Sequence, residues 1–159
     1  ALTGTMNRRV IESRIEAELA RFRRNGRVFA LAVIDLDHFK RINDTIGHKG
    51  GDAALVHATR VMQRTLRESD LLGRFGGEEF VAMLPESDLA GAAQVAERMR
   101  ADLANGSFDW DGKPNRLTAS IGVTLVATDD TAESLFRRAD HALYVAKGNG
   151  RDRVELAPA

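Results

Sequence analysis

Residues 74–80 read Arg-Phe-Gly-Gly-Glu-Glu-Phe and run straight into the apolar stretch Val81-Ala82-Met83-Leu84. Glycine reaches positive φ without steric cost, so a Gly-Gly pair between strand-like residues predicts a tight hairpin turn. A hairpin of this kind makes its two flanking runs paired antiparallel strands. The two carboxylates that follow the turn, Glu78 and Glu79, repel each other and contribute nothing to a core. They are better explained as a metal or acid/base site than as scaffold. Alone, Gly-Gly-Glu-Glu reads as an exposed turn; its partners upstream make it specific.

The first partner is the run Phe29-Ala-Leu-Ala-Val-Ile34, which has the character of a buried central strand. It ends in Asp35-Leu36-Asp37. Residues i and i+2 of a strand share a face, so both carboxylates can point to one side of the sheet end. Hard divalent cations take oxygen ligands of this type. The competing reading makes one of the two aspartates the cap of the next helix. Two aspartates at a strand end, with Lys40 close by, favour the metal.

Apolar spacing predicts the remaining elements. Ile11, Ile15, Leu19 and Phe22 mark a first helix, stopped at Asn25-Gly26. A strand follows over 27–34, then a short segment over 39–46 broken at Gly47. A longer helix runs over 52–67 on Leu55, Ala58, Met62 and Leu66. The hairpin strands cover 71–75 and 79–84. Leu89, Ala92, Ala96, Met99 and Leu103 line another helix, closed by Asn105-Gly106. Residues 109–115 are turn-rich, and 118–126 form a strand. Asp130-Thr-Ala-Glu133 has the form of a capping box and opens a helix on Leu135, Ala139, Leu143 and Ala146. A last strand covers 153–156. The core order is β-α-β-β-α-β, the α+β, ferredoxin-like or palm-type pattern, with an antiparallel sheet and its helices on one face. In that pattern the first strand lies beside the hairpin, so Asp35 and Asp37 meet Gly76-Gly77-Glu78-Glu79.

Composition narrows the function. At 159 residues the chain reads as one domain with enough length for a core. With 23 basic and 23 acidic residues, no bulk charge argues for nucleic acid or a membrane surface. The absence of cysteine removes thiol nucleophiles and Cys-based zinc sites and fits a reducing, cytoplasmic compartment. His38, His48, His57 and His141 lack zinc-type spacing. No apolar run reaches transmembrane length. The chain begins at Ala1 rather than Met, so we expect an excerpt of a longer regulatory protein, whose other regions are where any membrane attachment would lie.

Several ordered motifs then resemble one family. Leu2-Thr3-Gly4 and Asn7-Arg8-Arg9 are similar to the opening segment of GGDEF-domain diguanylate cyclases. Asp35-Leu-Asp-His-Phe-Lys40, Asn43-Asp44, Gly47-His48 and Gly51-Asp52 resemble its first block. Arg74 to Phe80 resembles its signature in the GGEEF form. Thr118-Ala-Ser-Ile-Gly-Val123, Ala139-Asp140, Ala142-Leu143-Tyr144, Ala146-Lys147 and Gly150-Arg151 resemble its closing blocks. Departures are small: Thr5 stands where Leu is usual, and Asp152 where Asn often follows Gly-Arg. Neither lies where chemistry is expected.

The resemblance implies condensation of two GTP into cyclic di-GMP with release of pyrophosphate, by two domains facing each other as a homodimer. It implies a Mg²⁺ (or Mn²⁺) site made by Asp35, the Leu36 carbonyl and Glu78, with Glu79 the candidate general base and Asp37 a supporting carboxylate. Asn43 and Asp52 correspond to guanine readers, against the plainer readings of a turn and a helix cap. Lys40, Lys147 and Arg151 correspond to phosphate contacts, and Phe39, Gly76 and Gly77 to residues lining the nucleotide. Arg67-x-x-Asp70, with Arg98, corresponds to a product-binding site for cyclic di-GMP as inhibitor. Its plainer reading is a surface ion pair. Three rival functions remain. A catalytically weak receptor for cyclic di-GMP or GTP usually shows a damaged signature, and this one is intact. A phosphatase of the Asp-x-Asp-x-Thr type needs Thr where Phe39 stands. A purely structural domain leaves the carboxylates without a role.

Overall fold

All eight residues of β2 (Phe29–Leu36) are buried. An apolar run covered on both sides needs neighbours on both edges and layers on both faces. The computed structural model, which describes residues 2–158, supplies them. β4 (Glu79–Pro85) and β7 (Ala119–Leu125) flank β2, both antiparallel to it. β3 (Leu71–Gly76) pairs with β4 through the hairpin. Beyond it lies β1 (Met6–Asn7), parallel to β3, and the far edge is β8 (Arg153–Ala157), parallel to β7. The order is β1-β3-β4-β2-β7-β8.

The period-2 alternation of β2 divides the core. Ala30, Ala32, Ile34 and Leu36 pack with α2 (Phe39–Thr65) and α3 (Leu89–Asn105). Phe29, Leu31 and Val33 pack with α1 (Arg8–Asn25) and α4 (Ala132–Gly148). Each fully buried Phe, Leu or Ile contributes about 1.5–3 kcal/mol of burial, so both layers are needed. The β2-α2-β3-β4-α3-β7 core has the expected order, with α2 and α3 on one face. The expectation of helices on that face alone does not hold. Elements outside the core order, α1 and α4, cover the other side.

Helix ends follow local chemistry. Asn7 Oδ1 accepts the Val10 N–H at 2.9 Å, and Gly26, in the left-handed region at φ 72°, closes α1 by donating to the Phe22 carbonyl. The capping box of α4 lies one residue later than expected. Thr131 and Ser134 cap each other reciprocally, because the Asp130 carboxylate is occupied by Arg138 and the Ala127 N–H. The segment expected only as turns is a small hairpin of β5 (Phe108–Trp110) and β6 (Lys113–Asn115), turning at Asp111 and Gly112 with positive φ. α2 breaks at Gly47 (φ 79°, ψ 174°), so it consists of two helical segments.

Candidate functional site

The site forms where β2 ends between two strands. Asp35 is paired in register with Glu79 of β4 on one side and with Ser120 of β7 on the other. Directly opposed residues share a face, so two carboxylates stand side by side across the ladder. Such like-charge pairs destabilise a sheet. The pair is compensated by one cation: the Lys147 ammonium of α4 donates to Asp35 Oδ2. α4 reaches this position because β7 carries Gly122 beneath it. A Cβ there would lie 2.3 Å from the Ala139 carbonyl oxygen and 2.4 Å from the Leu143 nitrogen.

The hairpin tip is built by its glycines. Phe75 is the bulged residue between Arg74 and Gly76, and Gly76 pairs with Glu79. Gly76 (φ 152°) and Gly77 (φ 51°) both adopt conformations that favour glycine. Arg74 Nε and Nη2 hold the turn by donating to the Gly77 carbonyl at 3.0 and 2.8 Å. The Leu36 N–H donates to the Glu78 carbonyl at 3.2 Å, which draws the tip onto the end of β2. Glu78 is half-buried there, not exposed as expected of a free hairpin tip. Asp35, the Leu36 carbonyl and Glu78 therefore share one sheet end.

Electrostatics set the carboxylates apart. Burial, then the opposed Asp35, push the Glu79 carboxyl above its ordinary value, while Lys147 pulls it down and Asp140 and Glu78 push it further up. Burial also raises Asp140, against Lys147. Glu79 and Asp140 both line a cleft of about 800 Å³ between α1 and α4, with Phe75 and Phe136 in its wall. The role of Asp140 had no signal in spacing, since it depends on α4 lying across β2 and β4.

Asp37 belongs to a different set of contacts. It is 4% exposed. Its carboxylate accepts from Thr118 Oγ1 and Ser120 Oγ, both at 2.7 Å, and from the Asp152 N–H at 3.0 Å. It caps no helix: the residue before α2 is His38, whose side chain makes no capping bond. Asp37 is thus held by Thr118 and Ser120 at the same sheet end, two residues to which sequence reasoning gave no role.

On the other face, α2 begins over the same sheet end. Phe39 is buried in the core and Lys40 is exposed. Asn43 lies within the helix rather than in a turn, and Asp52 lies past the Gly47 break rather than at a cap. Gly51, the residue before Asp52, lies against Asn43: a Cβ there would fall 1.8 Å from Asn43 Oδ1. Arg151 follows α4 at φ 65°. Apart from this site, Arg67 and Asp70 form an ion pair at 3.2 Å, and Arg67 also donates to the Pro85 carbonyl and Ser87 Oγ. The Asp70 side chain is fully enclosed while Arg67 is half-exposed, so Arg67 is the accessible member. Arg98 is exposed on α3.

Comparison with known proteins places this arrangement. The family described as "Diguanylate cyclase, GGDEF domain" matches residues 1–153. Diguanylate cyclase DgcP of Pseudomonas aeruginosa is 46% identical over 156 residues, covering 98% of this chain and 23% of DgcP. DgcM of Escherichia coli K12 is 40% identical over 157 residues, covering 99% of this chain and 38% of DgcM. The chain thus spans well under half the length of these curated relatives. Among solved structures, diguanylate cyclase SiaD of Pseudomonas aeruginosa, in complex with its activator SiaC, superposes with a TM-score of 0.95. It is 42% identical, over 98% of this chain and 60% of SiaD. The GGDEF domain of DgcB from Caulobacter crescentus, in complex with c-di-GMP, gives a TM-score of 0.95 at 31% identity, over 99% of this chain and 94% of that one.

Proposed function

This chain belongs to the GGDEF diguanylate cyclase family, and on that premise we propose that it condenses two GTP molecules into cyclic di-GMP. The observation that carries the reading is the register pairing of Asp35 with Glu79, beside Glu78 in the turn, with Lys147 bonded to Asp35. Each 3′-oxygen forms a bond to the α-phosphorus of the other GTP. The α–β phosphoryl bond breaks, and pyrophosphate leaves. The proton of the 3′-hydroxyl passes to Glu79, whose raised affinity for protons suits a base. One domain holds one GTP, so two copies face each other.

Asp35, the Leu36 carbonyl and Glu78 are hard oxygen donors and fit Mg²⁺ or Mn²⁺. Asp35 already accepts a cation, the Lys147 ammonium. Among the described residues no three acidic or imidazole side chains converge, which fits a cation shared with substrate phosphates rather than caged by protein. When bound, such a cation screens the triphosphate and offsets charge at the reacting phosphorus. Lys40, Lys147, Arg151 and the first N–H groups of α2 at Phe39 would meet the phosphates. Gly76 and Gly77 leave room for the nucleotide beside the hairpin. Asp52 accepts from guanine N1–H and N2–H₂, and Asn43 completes the base edge.

Arg67, backed by Asp70 and joined by Arg98, binds cyclic di-GMP as an inhibitor. Arg bonds guanine O6 and N7 bidentately.

The test is incubation with GTP and Mg²⁺ at high protein concentration, with products separated by chromatography. Cyclic di-GMP and pyrophosphate should form, and ATP should not substitute. GTP binding without product would favour a receptor. Arg67→Ala should weaken product binding about 10- to 100-fold by calorimetry and keep turning over as product accumulates.

A further inference from the structure

The turn after α4 is backbone-strained and clamped from two sides. Gly150, Arg151 and Asp152 have φ of 119°, 65° and 46°. Two successive non-glycine residues in the left-handed region cost on the order of 1–3 kcal/mol each and persist only where the surroundings over-determine them. Here the surroundings are specific. The Arg151 N–H donates to the Ala146 carbonyl at 3.0 Å, which folds the turn back on α4. From the sheet, the buried Asp37 carboxylate takes the Asp152 N–H at 3.0 Å. From α3, Arg100 Nη1 donates to Asp152 Oδ1 at 2.7 Å. Arg100 is itself fixed. Its Nε and Nη2 bond Glu97 one turn earlier, at 2.9 and 2.6 Å, and its side chain is only 19% exposed.

All three nitrogens of Arg100 are therefore engaged in contacts within the protein. An ion pair that served stability alone would gain little at a surface. This one secures a strained turn, and that turn carries Arg151 and follows directly on Lys147. We infer that Arg100 and Asp152 are positioning residues, which together with Asp37 hold the Lys147–Arg151 segment in the geometry that receives the triphosphate. The inference rests on the proposed GTP reading. Its chemistry is local: releasing the clamp frees the turn to relax toward negative φ, and the Arg151 guanidinium then leaves its place. The guanine end, at Asn43 and Asp52 on α2, is untouched.

That separation makes the test. Binding of a non-hydrolysable GTP analogue and of GMP, each with Mg²⁺, is measured by calorimetry on wild type, Arg100→Ala and Asp152→Ala. The expected result is a loss of about 10- to 100-fold for the triphosphate, the size of one well-made charged contact, with GMP changed less than about twofold. In turnover the KM for GTP should rise while kcat at saturation is kept. The charge-swapped double variant, Arg100→Asp with Asp152→Arg, should recover part of the triphosphate affinity, and Asp152→Asn, which keeps an acceptor, should lose less than Asp152→Ala. Equal losses for GMP and the analogue, or no loss for either, would overturn the positioning role. A wild type that binds neither nucleotide would overturn the GTP reading and this inference with it.

Discussion

The two ends of α4 treat acidic residues in opposite ways. At its N-terminal end Asp130 is surrounded by donors. Arg138 approaches at 2.6 and 3.0 Å, Ser134 Oγ at 2.7 Å and the Ala127 N–H at 2.8 Å. Burial alone would raise this carboxyl, but the bonds from Arg138, Ser134 and Ala127 outweigh it and hold it at about 2. At the C-terminal end the one nearby cation, Lys147, bonds Asp35 alone, and Glu79 and Asp140 are shifted upward, chiefly by burial. Charge is satisfied at one end and left in excess at the other. The first arrangement stabilises the fold. The second costs stability and leaves a carboxylate ready to take a proton or a metal.

The sharpest break in this comparison is Glu79→Gln. It should lower turnover about 100-fold or more, the usual weight of a general base, while raising the melting temperature slightly because a like-charge pair is removed. A glutamate raised in the folded state costs stability above its folded pKa, so the gain should shrink as pH falls. Calorimetric melts across pH read the sign; a lower melting temperature at neutral pH would show that Glu79 is structural.

Lys147→Met should be next. It leaves Asp35 and Glu79 facing each other unneutralised and should cost about 1–3 kcal/mol at neutral pH. The cost should fall on acidification, as protonation relieves the pair. Chemical denaturation at neutral and mildly acid pH would show it, and a pH-independent loss would contradict the charge argument.

Asp130→Asn should cost a similar or smaller amount, about 1–2 kcal/mol, with turnover per folded molecule kept. Because Asp130 is depressed on folding, its contribution is complete above the unfolded value near 4 and is lost as pH falls towards about 2. The wild type should show this acid loss and the variant should not. The smallest effect belongs to Asp140→Asn. It should move the acid limb of the turnover profile to lower pH by a few tenths of a unit, the scale of one solvent-screened charge. An unmoved limb would separate Asp140 from the site.

Much of this molecule was legible in the chain. The hairpin, the buried β2 and the facing of Asp35 towards the Gly-Gly-Glu-Glu turn follow from local periodicity and from one pairing rule. The family resemblance carried the metal, guanine and phosphate assignments. What escaped was set by contacts distant in sequence. β1 is two residues long and exists only because β3 offers an edge. The α4 cap shifted by one residue because Arg138 claimed Asp130. Asp152 looked inert, yet it joins α3 to the sheet through Arg100 and Asp37. Within the Arg67–Asp70 pair the Asp70 side chain is enclosed and Arg67 stays half-exposed, a division that spacing alone does not reveal.

By itself the sequence determined which residues carry charge, where glycine permits a turn, and which faces are apolar, because these depend on a residue and its near neighbours. Only the tertiary structure decided which carboxylates are neutralised and which are not. Lys147 lies 112 residues from Asp35, and the balance between desolvation and pairing falls off within a few ångströms. The difference between an aspartate held below its ordinary value and a glutamate raised above it was therefore settled by how closely α4 packs over Gly122.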